Sequence, residues 1–206
     1  MPSSCRSGLV ILVAALLVTS LASALNAPLS DEAVREAYFL GQRRDDRTAQ
    51  FLETYRRYSP VPKSGPHVYA VELFTPYAQA VEASSKHGGS YSAQQARLDY
   101  QARGDSLRVG VYVHYIPNQV PGLTDTRKDF QVRLTLDGKT LEPRSLRYEG
   151  MLAGTGGGKG GGAHSTGFII WQEYEAPTST SPDAIVTVDT PDGQHVVVSF
   201  DLSRLR

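Results

Sequence analysis

The chain has 206 residues, 21 basic and 21 acidic side chains, a formal net charge of zero and a single cysteine. This length corresponds to one domain, or to a domain with a small appendage. Near-neutral charge argues against a nucleic-acid partner and against electrostatic docking on anionic lipid.

The start reads as a secretory signal peptide. Arg6 is a short basic region, Leu9–Val18 is an unbroken apolar run, and Ala22-Ser23-Ala24 fits the small-x-small rule for cleavage after Ala24. The run is ten residues long, well short of the ~20 that a spanning helix needs, which favours cleavage over a retained anchor. Cleavage leaves 182 of the 206 residues and a net charge of −1, because the segment carries one base and no acid. It also removes Cys5, the only cysteine. The mature chain then has no disulfide, no zinc–thiolate or iron–sulfur site and no cysteine nucleophile. It rests on an apolar core, which a chain of this size forms by burying roughly 70% of its unfolded surface. The expected location is secreted or periplasmic, with no membrane contact after cleavage.

Residues 25–66 read as a helical segment followed by a linker. Ser30 is an N-cap, Asp31 and Glu32 fill the first turn, and Leu29 with Val34 makes a hydrophobic staple. Arg43–Arg47 is a break or an exposed turn, after which Phe51, Leu52 and Tyr55 share a helical face. The three prolines of 59–66 make the linker.

Residues 67–206 read as an α+β domain. His67–Phe74 is a strand with Tyr69, Val71 and Leu73 on one face. Thr75-Pro76 then caps a helix that stops at Gly88. Ser92 and Gln95 form a capping box, so 92–103 is expected to be helical, although Ala96, Leu98, Tyr100 and Ala102 also alternate as a strand would. Ser106–Ile116 is the organising strand. Leu107, Val109, Val111, Val113 and Tyr115 fall on one side, and Arg108, Gly110, Tyr112 and His114 on the other. After the loop Pro117–Lys128, residues 130–136 form a strand ending in Asp137-Gly138, a type I′ hairpin signal. Thr140–Tyr148 returns, with Pro143 marking an edge or a bulge. Phe168–Tyr174 carries the only tryptophan, Trp171, and a last hairpin turns at Pro191-Asp192-Gly193. The expected fold is α+β: N-terminal helices packed on a mostly antiparallel, immunoglobulin-like β-sandwich of about seven strands.

Few motifs carry chemistry. The tract Gly154–Gly162 matches a dinucleotide fingerprint only because a glycine run matches it by default, and it leads into a strand rather than a helix. Around Ser165, a faint nucleophile-elbow pattern lacks the strand-to-helix turn. Arg103-Gly104-Asp105 reproduces an adhesion tripeptide, but a tight turn before a strand explains it. His67, His114 and His195 lie on strands and are the candidates for a histidine metal module. Glu72, Glu149, Glu173 and Glu175 are the candidates for the paired carboxylates of a glycan hydrolase. The best positive feature is aromatic: Tyr112, His114 and Trp171 would form a ligand platform if they point outward, and would be core if helices cover that face.

These readings favour a non-enzymatic exported protein that binds an unknown protein or glycan partner. They assign no catalytic residue, metal or cofactor.

Overall fold

A computed structural model describes residues 28–63, 65–115, 127–154, 163–176 and 183–206. The expected signal peptide, most of the glycine tract and most of the Pro117–Lys128 loop lie outside these residues.

Among the described residues, four α-helices precede or interrupt the first strands: α1 (Asp31–Arg43), α2 (Asp46–Glu53), α3 (Pro76–Lys86) and α4 (Ala93–Arg103). Each start is capped as its sequence demands. Ser30 accepts from the Ala33 N–H, Asp45 from Arg47 and Thr48, Thr75 from Ala78, and Ser92 from Gln95. The basic stretch 43–47 is a true break, where Arg44 adopts a left-handed φ of 50° and its N–H satisfies the Gly41 carbonyl. At α4 the caps outweigh the strand-like alternation. The Gln95 side chain, however, turns forward to Asp99 rather than back to the cap.

Among the described residues, nine strands form two antiparallel sheets. The first is ordered β1 (Arg56–Tyr58), β2 (His67–Phe74), β3 (Ser106–His114), β7 (Ala163–Glu175), β6 (Ser145–Gly154). The second is ordered β5 (Lys139–Leu141), β4 (Gln131–Leu136), β8 (Asp183–Asp189), β9 (His195–Asp201). The expectation of seven strands falls two short for identifiable reasons. β1 has three residues, too few for any period to show, yet it pairs with β2 from Arg56↔Glu72 to Tyr58↔Ala70. The expected strand Thr140–Tyr148 is split at Pro143: β5 pairs with β4, and β6 crosses to the first sheet beside β7. Asp137 and Gly138 both take positive φ, 51° and 69°, as the type I′ turn requires.

The sheets close on each other. Leu107, Val109, Val111 and Val113 of β3 are fully buried with Val71, Leu73, Phe168 and Ile170, against Leu134, Val186, Val188 and Phe200 of the second sheet. Each such side chain stabilises the fold by about 1.5–3 kcal/mol relative to exposure. The helices pack on one another through Ala37, Tyr77, Ala80 and Val81, and Phe51 and Leu52 of α2 bridge that cluster to the sandwich core. Arg206 ties the far end of the chain to this junction. Its carbonyl accepts from Tyr55 at 2.8 Å, and its guanidinium pairs with Glu36.

One strand breaks its own alternation. The β2–β3 register shifts between Val68 and Ala70, so Tyr69 is an extra residue in a bulge. Val68, Val71 and Leu73 face the core, while Tyr69 turns to the opposite side and stacks on His114. This corrects the sequence expectation that Tyr69 shares a face with Val71 and Leu73.

At Gly167 the strands β3 and β7 approach too closely for any side chain, since an added Cβ would run into the Val113 carbonyl oxygen. Backbone cannot rotate away as a flexible side chain can. Gly167→Ala is therefore expected to lower stability by about 1–3 kcal/mol, as overpacking does. Urea denaturation followed by circular dichroism measures this, and an unchanged midpoint would contradict the close approach.

Candidate functional site

The side of β3 facing away from the core carries Arg108, Gly110, Tyr112 and His114. Register brings other chemistry beside them: Glu72, Gly110, Trp171 and Arg147 form one cross-sheet row. Ala70, Tyr112, Ile169 and Glu149 form the next, and His67, His114 and Gly167 a third.

Trp171 lies flat over Gly110, where any Cβ would overlap the six-membered ring. The edge of Tyr112 meets the indole at 5.9 Å between centroids. The guanidinium groups of Arg108 and Arg147 stand 4.8 and 5.8 Å from the indole centroid. The indole Nε1 donates to Glu149 at 2.9 Å. Trp171 is thus on the outer face yet only 7% exposed. It is a covered floor rather than a bare platform.

Glu72 is the buried charge of this face, at 2% exposure. Arg56 donates to one carboxylate oxygen through two nitrogens, with its Nε at 2.7 Å, and the Tyr112 hydroxyl donates to the other at 2.7 Å. Burial, reinforced by the Glu72 carboxylate, pushes the Tyr112 pKa far above its ordinary value. Its phenol therefore keeps its proton at neutral pH and serves as a donor to Glu72. A second ion pair joins Arg108 to Glu82 of α3. Burial works to raise the Glu82 pKa, but Arg108, aided by Lys86, holds it below the usual carboxylate value.

Beyond Tyr112 the face is ringed by aromatics. His114 stacks on Tyr69 with centroids 4.5 Å apart and planes 8° apart, and Tyr58 meets Tyr69 edge-on at 5.2 Å. His67 stands 6.0 Å from Tyr69 and 6.3 Å from His114. One His67 ring nitrogen lies 3.1 Å from the Ser59 carbonyl, which ties the linker to the sheet. Tyr58 and His67 also line a cleft of about 500 Å³ between the Pro60–Pro62 stretch and β9. Tyr112, His114 and Trp171 are therefore brought together, in a tract that continues through Tyr69 to Tyr58 and the cleft.

The other candidates form no common site among the described residues. Glu72 and Glu149 share the face but lie three strand spacings apart, roughly 14 Å, which exceeds the about 5–9.5 Å of glycosidase pairs. Glu173 and Glu175, two residues apart on β7, are roughly 7 Å apart by strand rise, within that range. Glu175 is solvated and ion-paired with Arg144, and neither lines the cleft. His195 lies in the second sheet, 2.5 Å from Asp189, although it lines the same cleft as His67. Among the described residues, no three His, Cys, Asp or Glu side chains stand close enough together to hold a metal ion. Ser165 lies within β7 rather than at a strand-to-helix turn. Gly104 ends α4 with a φ of 74°, and the Asp105 side chain accepts from Tyr100, so the Arg103–Asp105 triplet is a helix cap.

Sequence reasoning missed Arg56, Tyr58 and Tyr69 as members of the face. The first two sit on an unforeseen strand, and the third is placed by the bulge. No family model, curated protein or solved structure matches this chain. Among the described residues, no helix is long and apolar enough to cross a membrane.

Two outcomes follow from this geometry. Arg56→Ala leaves the Glu72 carboxylate buried without its cation, at a cost of about 3 kcal/mol or more. Adding Glu72→Gln is expected to recover much of the loss, and thermal melts of the two variants decide it. His114 is held below its ordinary value of 6.5 by burial and then by neighbouring His67. Its neutral form is the one the fold favours. This stabilisation is full above about pH 6.5 and is lost as pH falls through the lower, folded value. Urea midpoints should drop across that window in the wild type and drop less in His114→Gln.

Proposed function

We propose that this is an exported, non-enzymatic protein that works by binding or structural contact, in the cell envelope or outside the cell. The observation that carries the reading is the aromatic tract. Tyr112 and Trp171 form a locked floor, His114 and Tyr69 are stacked and half-buried, and exposed Tyr58 opens into the cleft. Rings with polar tips suit the faces of sugars and the side chains of extended peptides. The partner class is therefore a glycan or a protein, held without a cofactor or metal.

Strand order supports an immunoglobulin-like sandwich. β2, β3, β7 and β6 fall in the A-B-E-D places, and β5, β4, β8 and β9 in those of C′-C-F-G. β1 extends the first sheet beyond A, and the helices α3 and α4 are inserted between A and B. The chain lacks the usual tryptophan on strand C and the cysteine pair. Trp171 instead seals the outer face of the E position.

Both parts of this reading are testable. A fusion of residues 1–24 to leaderless alkaline phosphatase is expected to be active outside the cytoplasm and cleaved after Ala24. Cytoplasmic retention would count against export. In co-sedimentation with insoluble envelope polysaccharide, Tyr69→Ala is expected to weaken binding roughly tenfold, the loss of one stacked ring. Undiminished binding, or release of soluble sugar from the polymer, would contradict a binding role for this tract.

A further inference from the structure

β6 ends the first sheet, and no described strand pairs with its outer edge. Its hydrogen-bonding direction can be read from β7. The Tyr115 N–H bonds the Thr166 carbonyl at 2.9 Å, and the Ala176 N–H bonds the Asp105 carbonyl at 3.3 Å. The even-numbered residues of β7 therefore turn their backbone to β3, and the odd-numbered residues, which include Ile169 and Trp171, turn theirs to β6. Their partners Glu149 and Arg147 are thus satisfied internally. Leu146, Tyr148 and Gly150 aim their N–H and C=O groups off the edge. The same strand exposes large apolar side chains: Leu146 is 51% and Leu152 is 70% exposed. Natural edges are usually blunted by proline, a bulge or an inward-pointing charge. Leu146–Met151 contains no proline and no register shift, and its two charged residues both point to the outer face.

We propose that β6 pairs antiparallel with β6 of a second copy, about a two-fold axis passing beside Tyr148. The strand is self-complementary in this register. Tyr148 meets its own counterpart in a hydrogen-bonded pair. Leu146 meets Gly150 of the second copy, where nothing lies within 4 Å of the space a side chain would occupy. Arg147 meets Glu149 of the second copy, twice, in the closely spaced non-hydrogen-bonded pairs. Registers centred on Glu149 or Arg147 would set like charges opposite each other. The two five-stranded sheets become one of ten strands. Both aromatic tracts then lie on the same surface, so a polymeric ligand would be held at two points. The pairing itself does not depend on that ligand.

Sedimentation equilibrium of the purified protein tests this. The expected species has twice the monomer mass and dissociates on dilution. Leu146→Pro removes an N–H that points off the edge, so it is expected to give a folded monomer. Arg147→Glu alone and Glu149→Arg alone each place like charges across the axis, and each is expected to weaken association at least tenfold. The two variants mixed should recover it as a heterodimer, because every cross-axis pair is then opposite in sign. A monomer at all concentrations overturns the proposal. So does association that survives in both charge variants, or a mixture that associates no better than either variant alone. Recovery only on adding an unrelated envelope protein would transfer the edge to a different partner and also overturn it.

Discussion

β3 is hydrogen-bonded on both edges and packed on both faces, and it cannot slip by one residue. A slip would drive Arg108, Tyr112 and His114 into a dry core and push Leu107, Val109, Val111 and Val113 out of it. Burying an unpaired guanidinium costs several kcal/mol, and each exposed valine or leucine forfeits about 1.5–3 more. That penalty fixes the register of β2 and β7 and, through β7, of β6. Two glycines fix it further. Gly110 gives Trp171 its seat, and Gly167 lets the β7 backbone come up against Val113. The outer face is therefore a consequence of the core. Once the valines point inward, Glu72, Tyr112, Trp171 and Glu149 have no other place to stand.

The outer face is built in two grades of rigidity. Around Glu72 and Trp171, the Glu72 carboxylate, the Tyr112 hydroxyl, the indole N–H and the Arg108 Nη2 each have a partner on a neighbouring strand or on α3. Buried ion pairs of this kind add little net stability, but removing one partner is costly, so they specify one arrangement over others. Toward Tyr69 and Tyr58 the contacts become stacked or edge-on rings, with fewer hydrogen bonds and more solvent. The proposed binding role rests on this pre-ordered ring geometry, which leaves little ordering entropy to be lost on contact. Burial keeps the Tyr112 phenol protonated at neutral pH, and Arg108 holds Glu82 below the usual carboxylate value against the effect of burial.

Much of this was legible in the sequence, and the limits of legibility are physical. The caps at Ser30, Thr75 and Ser92, the turn at Asp137-Gly138 and the alternation of β3 are local effects, decided within a few residues, and each is found where the sequence puts it. The strand β1 is not local. Arg56-Arg57-Tyr58 has no pattern of its own, and it becomes a strand only because β2 presents an edge and Glu72 needs a cation. The bulge at Tyr69 is likewise invisible, since strict alternation predicts the wrong face for it. Trp171 and Tyr112 were legible as a pair, and burial was one of the two readings of their face, but the groups that cover the indole were not legible. The cover over Trp171 comes from Arg108 of β3 and Arg147 of β6, both on strands other than its own.

The central claim is that the outer face of the first sheet is an ordered layer, sealed over Gly110, rather than a fringe of solvated side chains. Trp171 is the only tryptophan in the chain, so its fluorescence reports on that layer alone. Emission from the folded protein should be blue-shifted and resistant to iodide and acrylamide, and should move to the solvent-exposed wavelength only on unfolding. A native spectrum already at the exposed wavelength, with free access to quencher, would contradict the account.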